Sequence, residues 1–193
     1  MSYVIQDTIW PGSVNLDGGV KDLLALFYEL ADNTGPGAGP RIASDVFTKD
    51  AKVVAGTGES NGSEAISRSR DNAWKLITKR HHVIQQVFVN DKEGSDLMVL
   101  GRVEMEFRNG KSLEQDFTAR VVVNLESKAA GTPRFELMQV FAKRSEDGSS
   151  FKGHSPSCLG VVNMNSSGGE VNVLLTELAM NQAKNNIPSQ VAL

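Results

Sequence analysis

Between residues 20 and 32 the run VKDLLALFYELAD places apolar side chains at 20, 23, 24, 27, 28, 30 and 31. Recurrence at three and four residues marks an amphipathic helix with a wide apolar stripe. NTGPGAGP (33–40) ends it with glycine and proline. RIASDVF (41–47) reads as a second short helix, and AKVVAGT (51–57) as a strand closed by GESNG. Ser63 and Glu64 open a third predicted helix over 63–80, with Ala65, Ile66, Ala73, Trp74, Leu76 and Ile77 on its apolar side. From residue 81 the period falls to two. Four strand-like runs follow, 81–90, 95–108, 112–126 and 134–144, joined by the hairpin-like NDKEG, NGK and SKAAGT. Asn109-Gly110 is the strongest turn signal, because tight hairpin turns need backbone angles that glycine adopts freely. Residues 1–18 read as an irregular arm. Residues 145–193 read as a polar linker and a C-terminal extension, a lid or dimer-contact tail, with a strand-like 158–164 and a helix-like 171–186. The predicted fold is α+β, with three N-terminal helices packed on a curved, mostly antiparallel sheet over 19–144.

The strands have unequal faces. In 95–108 one parity holds Leu97, Val99, Gly101, Val103, Met105 and Phe107, and the other Met98, Leu100, Arg102, Glu104 and Glu106. In 112–126 the odd positions carry Phe117, Ala119, Val121, Val123 and Leu125, while the even ones carry Asp116, Thr118, Arg120, Val122 and Asn124. Two arrangements fit. The apolar face packs on the helices and the charged face is solvated. Alternatively a second subunit covers the apolar face, and the mixed face lines a cavity closed by the helices. His81 and His82 start the first of these strands, so alternation sends one inward and the other out.

Composition narrows the partners. The 193 residues suffice for one domain with a sizeable core. A net charge of −3 leaves no basic excess to neutralise phosphates, which argues against nucleic acid. No apolar run approaches the roughly 18–20 residues that span a bilayer, and no secretory signal is visible, so a cytoplasmic location is expected. The lone Cys158 has no partner for an internal disulfide, and no metal-ligand spacing is present.

Four stretches carry a family resemblance: DVFTKDAKVVAGTGESNGSEAI (45–66), KRHHVIQQVFVN (79–90), DLMVLGRVEMEFRNGK (96–111) and FELMQVFA (135–142). Their wording and order resemble the NTF2-like superfamily, in particular its SnoaL-like polyketide cyclase branch. Phe47, Asp50 and Ala51 match the family's introduction to the first strand, and Gly62, Ala65 and Ile66 its opening of the third helix. The resemblance implies a cone-shaped α+β barrel, a scaffold that hosts cyclases, dehydratases, isomerases, epoxide hydrolases and plain binders. Similarity to scytalone dehydratase, which carries a pocket histidine at the start of this strand, implies that His82 faces inward, with Ile84 and Gln86 beside it. The second histidine of that enzyme has no match here. Similarity to limonene-epoxide hydrolase maps an Arg-x-Asp onto Arg102-Val103-Glu104 and implies that this mixed face lies inside the cone. The last-strand position then falls on Gln139, so the water-activating set is incomplete. The wider wording resembles fungal SnoaL-like proteins of secondary metabolism.

The candidate chemistry follows. His82 is the expected acid/base, since imidazole titrates near neutral pH. Glu104 is a candidate proton acceptor and Arg102 a stabiliser of an enolate or phenolate oxygen. A surface ion pair is the plain alternative for both. Tyr28 and Asp32, four apart on the first helix, share a face. Phe27, Trp74, Phe88 and Phe141 would form core or pocket wall, and Gln86, Thr118, Arg120 and Gln139 polar contacts. These residues suit a flat polyketide- or terpenoid-like small molecule. The expected function is a cofactor-independent cyclase, isomerase or dehydratase, homodimeric and without a metal. A non-catalytic binding module and an epoxide hydrolase are the competing readings.

Overall fold

The computed structural model describes residues 2–12, 14–56 and 58–142. The expectations for 145–193, with Cys158, lie outside them. Helix α1 runs over Gly18–Asp32, opened by Asp17, whose carboxylate accepts from Gly19 N at 2.7 Å. Its buried positions include Val20, Leu24 and Tyr28, each four residues after the last, and Asp32 continues that stripe. Helix α2 (Ala38–Arg41) passes directly into a π-helical turn, Ile42–Val46. Strand β1 (Phe47–Ala55) pairs antiparallel with β2 (Gly58–Asn61), where the sequence suggested only a closing turn.

The third helix is shorter than its periodicity implied. Helix α3 covers only Gly62–Arg68, and the following residues turn irregularly into β3 (Ile77–Val89). Ser67, Ser69, Asp71 and Asn72 are weak helix formers whose side chains compete for backbone groups. Ser69 Oγ does so directly, donating to Ile66 O at 2.6 Å. The remaining strands match expectation closely: β4 (Asp96–Phe107), β5 (Ser112–Val123) and β6 (Phe135–Ala142). Gly110 takes φ 79° in the β4–β5 turn. The β5–β6 connection holds a short helix, α4 (Leu125–Ala129), capped by Asn124, whose Oδ1 accepts from Ser127 N at 2.9 Å. The six-stranded sheet has the order β2-β1-β6-β5-β4-β3, with β1 parallel to β6 and every other pair antiparallel.

The helices cover the apolar face, as the simpler reading of the alternation required. Leu97, Val99, Val103, Phe117, Ala119, Val121 and Val123 are buried in one core with Val20, Leu24, Tyr28 and Met138. The mixed face is therefore the outer one, which corrects the expectation that Arg102 and Glu104 lie inside the cone. The apolar face is likewise not left for a second subunit. Register shows why: His82 pairs with Val103 and Val83 with Arg102, and directly opposed residues share a face. A bulge between Ile84 and Gln86 then flips β3, so Val87 and Val89 turn inward while Gln86 and Phe88 turn out. The N-terminal arm seals this irregular edge: Ile9 N donates to Gln85 O at 2.9 Å, and Val87 N to Ile9 O at 3.0 Å. Among the described residues no helix is long and apolar enough to cross a membrane.

Gly101 is required by packing. A Cβ there would stand 2.4 Å from Phe117 Cζ and 2.9 Å from Val83 O, so the glycine lets the Phe117 ring lie across β4. Gly101→Ala should destabilise by about 1–3 kcal/mol through overpacking. The cost should shrink when Phe117 is also changed to Leu, a non-additivity that urea melts of the double-mutant cycle would measure.

Candidate active site

Asp32 ends α1 where the helix dipole disfavours a negative charge. Its side chain is only 6% exposed, so its carboxylate must be compensated by neighbours. Four groups do this. His82 Nδ1 lies 2.5 Å from Oδ1, the His82 backbone N–H donates to Oδ2 at 2.7 Å, and Tyr3 Oη donates to Oδ2 at 2.9 Å. Arg80 Nε stands 3.5 Å from Oδ1, an ion-pair distance. Burial pushes the carboxyl upward, but the His82 and Tyr3 hydrogen bonds outweigh it and hold Asp32 below the usual carboxylate range.

His82 reaches this place because Arg80, His82 and Ile84 alternate onto the inner face, opposite Met105, Val103 and Gly101. Burial holds its imidazole below the ordinary value, opposed by Asp32 and reinforced by Arg80 and Arg70. The ring is therefore neutral near pH 7. The ionised Asp32 carboxylate accepts from Nδ1–H, which leaves the Nε2 lone pair without a partner among the described residues. Two aromatic rings border it, Tyr28 at 5.1 Å and Phe117 edge-on at 5.6 Å between centroids. The Tyr28 hydroxyl is buried without a hydrogen-bond partner among the described residues. Burial, and then the charge of Asp32, raise it far above an ordinary phenol.

Two arginines complete the cluster. Arg70 Nη2 donates to Ala31 O at 2.5 Å, and Arg80 Nη2 donates to the same carbonyl. Trp74 lies beside both, 4.8 Å from the Arg80 guanidinium and 5.9 Å from that of Arg70, while its Nε1 donates to Asn33 O. Burial, then the charge of Arg80, pushes Arg70 down to about 10. Burial likewise lowers Arg80, against the pull of Asp32.

Of the residues expected at the site, the structure brings together His82 and Tyr28, with Asp32 beside them, while Trp74 lies against Arg70 and Arg80. Phe27 packs edge-on against Tyr28 and Phe47 rather than His82. The others lie on the outer face. Arg102 pairs there with Glu114 at 2.6 Å and Asp116 at 2.8 Å, and Glu104 is exposed beside the surface residue His81. Arg120 binds Asp96 through Nε at 3.0 Å and Nη2 at 2.9 Å, and stands opposite Gln139. Thr118 opposes Leu100 and Phe141, whose ring is 37% exposed. Gln86 and Phe88 are turned out by the bulge. Sequence reasoning missed Arg70, Arg80, Phe117 and Tyr3. Arg80 was legible in principle: it stands two residues before His82 and shares its face once the strand is begun at Ile77 rather than 81. Among the described residues no cluster of metal-ligating side chains occurs.

Solved structures of the NTF2-like fold match this chain. An NTF2-like protein of unknown function from Exiguobacterium sp. 255-15 aligns at 16% identity and TM-score 0.51, covering 64% of this chain and 99% of its own. A type 2 hexachlorocyclohexane dehydrochlorinase (LinA) aligns at 15% identity and TM-score 0.53, covering 65% and 84%. A protein of ketosteroid isomerase-like fold from Catenulispora acidiphila, in complex with trimethylamine, aligns at 14% identity and TM-score 0.50, covering 66% and 86%. No family model matches the chain, and no curated protein matches its sequence. The chain has the NTF2-like fold.

The dyad has a pH signature. A histidine with a depressed folded pKa binds its proton more readily in the unfolded chain, so its stabilisation is complete above about pH 6.5 and is lost as pH falls toward the folded value. Melts between pH 7.5 and 5 should therefore show stability falling with acid, and His82→Gln should flatten that slope. Nitrogen-detected NMR should find the Nδ1–H tautomer in the native chain and a tautomer mixture in Asp32→Asn.

Proposed function

We propose that this chain is a cofactor-independent lyase or isomerase in which His82 removes a proton from a carbon acid. The observation carrying this reading is the His82 Nδ1–Asp32 hydrogen bond, which fixes the tautomer and leaves Nε2 as the basic atom. Asp32 would stabilise the imidazolium that forms. Tyr28, with its unpartnered hydroxyl beside the ring, would donate to the oxygen on which charge develops. His82 as imidazolium would return the proton at another carbon, giving isomerisation, to the alkoxide formed when the carbanion adds to a carbonyl carbon of the same molecule, giving ring closure, or to a leaving hydroxyl, giving dehydration. Phe117, Tyr28 and Trp74 suit a flat polyketide- or terpenoid-like intermediate. The occurrence of this fold in a protein named as a dehydrochlorinase supports an elimination. Arg102 and Glu104, proposed at first for the chemistry, take no part in this scheme. The epoxide hydrolase reading relied on them and falls with their outward placement.

A second reading, a non-catalytic small-molecule binding module, is favoured by the closure of the dyad, with Asp32 at 6% and His82 at 14% exposure. The homodimer is proposed to form through the outer face, where Phe88, Met98, Leu100 and Phe141 stand together.

Incubation in deuterated water with aryl ketones carrying an α-proton separates the two. Deuterium exchange should be catalysed, and Asp32→Asn or His82→Ala should each slow it by about 10²–10⁴-fold. Arg102→Ala and Glu104→Ala should stay within about twofold of the native rate. The acid limb of kcat/KM should fall below the ordinary imidazole value of about 6.5. Exchange that persists in His82→Ala would remove the catalytic reading.

A further inference from the structure

The charges behind the dyad do not balance. Two guanidiniums, Arg70 and Arg80, converge on one backbone carbonyl, Ala31 O, at the C-terminal end of α1. Among the described residues Asp32 is the carboxylate acting on both. It is already occupied by two hydrogen bonds from His82 and one from Tyr3. Arg80 approaches it only at 3.5 Å, and the Arg80 side chain is 12% exposed. Among the described residues the buried Nε of Arg70 has no hydrogen-bond partner, and that of Arg80 has only the long contact to Asp32. Each guanidinium commits its Nη2 to the Ala31 carbonyl, and Arg80 adds the ion pair with Asp32.

Like charges brought together out of water are costly unless an anion joins them. The partial negative charge of the α1 C-terminus offsets part of this excess, and the Trp74 ring another part. Neither supplies an acceptor for Arg70 Nε. Planar guanidinium donors match the two oxygens of a carboxylate, which can span both arginines.

We propose that Arg70 and Arg80 form a binding site for the carboxylate of a small-molecule ligand, with Trp74 as its flat wall. The site deepens the reading of this cluster as an active centre and rests on it, because it names the substrate as a carboxylic acid. Asp32 Oδ1 touches both His82 Nδ1 and Arg80 Nε, so the arginines adjoin the dyad on the Asp32 side of the imidazole. An anion there would also shield the two arginines from each other.

Titration of the full chain with benzoate, benzamide and inorganic phosphate, followed by calorimetry and tryptophan fluorescence, tests this. Benzoate should bind saturably, at least tenfold tighter than benzamide and than phosphate. Arg80→Gln and Arg70→Gln should each weaken benzoate at least tenfold, with the lysine variants intermediate. Circular dichroism checks that each variant is folded, and the comparison of benzoate with benzamide on the native chain stands without any variant. Equal binding of benzoate and benzamide would overturn the site, as would phosphate equal to benzoate or native affinity in both glutamine variants. His82→Ala should keep benzoate binding while losing exchange activity. Benzoate binding together with undiminished exchange in that variant would leave the carboxylate site standing and sink the dyad mechanism instead.

Discussion

One buried carboxylate organises this protein. Asp32 receives the Tyr3 hydroxyl from the N-terminal arm, the His82 amide and imidazole from β3, and an ion pair from Arg80. Four contacts therefore tie the end of α1 to the sheet and to the arm at a single point. A carboxylate so placed is electrostatically unfavourable twice over, by burial and by the helix dipole. Such a conflict with local preference persists where surrounding groups compensate it, and functional sites are where it is usually found. Arg70 and Arg80 on the Ala31 carbonyl are part of that compensation.

The geometry of the sheet decides what else can reach this point. Arg80, His82 and Ile84 share the inner face of β3, with Val103, Gly101 and Phe117 across from them. Because Gly101 has no side chain, the Phe117 ring can lie over β4 against His82 and Tyr28. A single extra residue at the Gln85–Gln86 bulge then reverses the strand, which keeps Val87 in the core and sends Gln86 and Phe88 out. The N-terminal arm bonds to the strand at that bulge, so the irregularity is covered where it would otherwise expose unpaired backbone.

The sequence made the outline legible. Period-two alternation located β3, β4, β5 and β6, the 3.6-residue period located α1, and the α+β class followed from their order. The inner face was readable as well, since Leu97, Val99, Gly101 and Val103 alternate without exception. What misled was the carried-over Arg-x-acid pattern at Arg102 and Glu104. In this chain Arg102 is neutralised at the surface by Glu114 and Asp116, and Glu104 is exposed rather than buried. The helical periodicity of 63–80 also misled, because Ala73, Trp74 and Ile77 continue it by spacing while the serines and Asn72 before them end the helix. That error hid Arg80, which belongs to a strand and not to a helix end.

By itself the sequence determined the periodicities, the turn at Asn109-Gly110 and the pairing of Tyr28 with Asp32 on one helix face, because each depends only on neighbours along the chain. Tertiary structure alone decided which face of the sheet the helices would cover, where β3 would bulge, and that Asp32 would meet His82 fifty residues away. Those outcomes depend on register, and a one-residue shift in register exchanges the two faces of a strand without changing its composition.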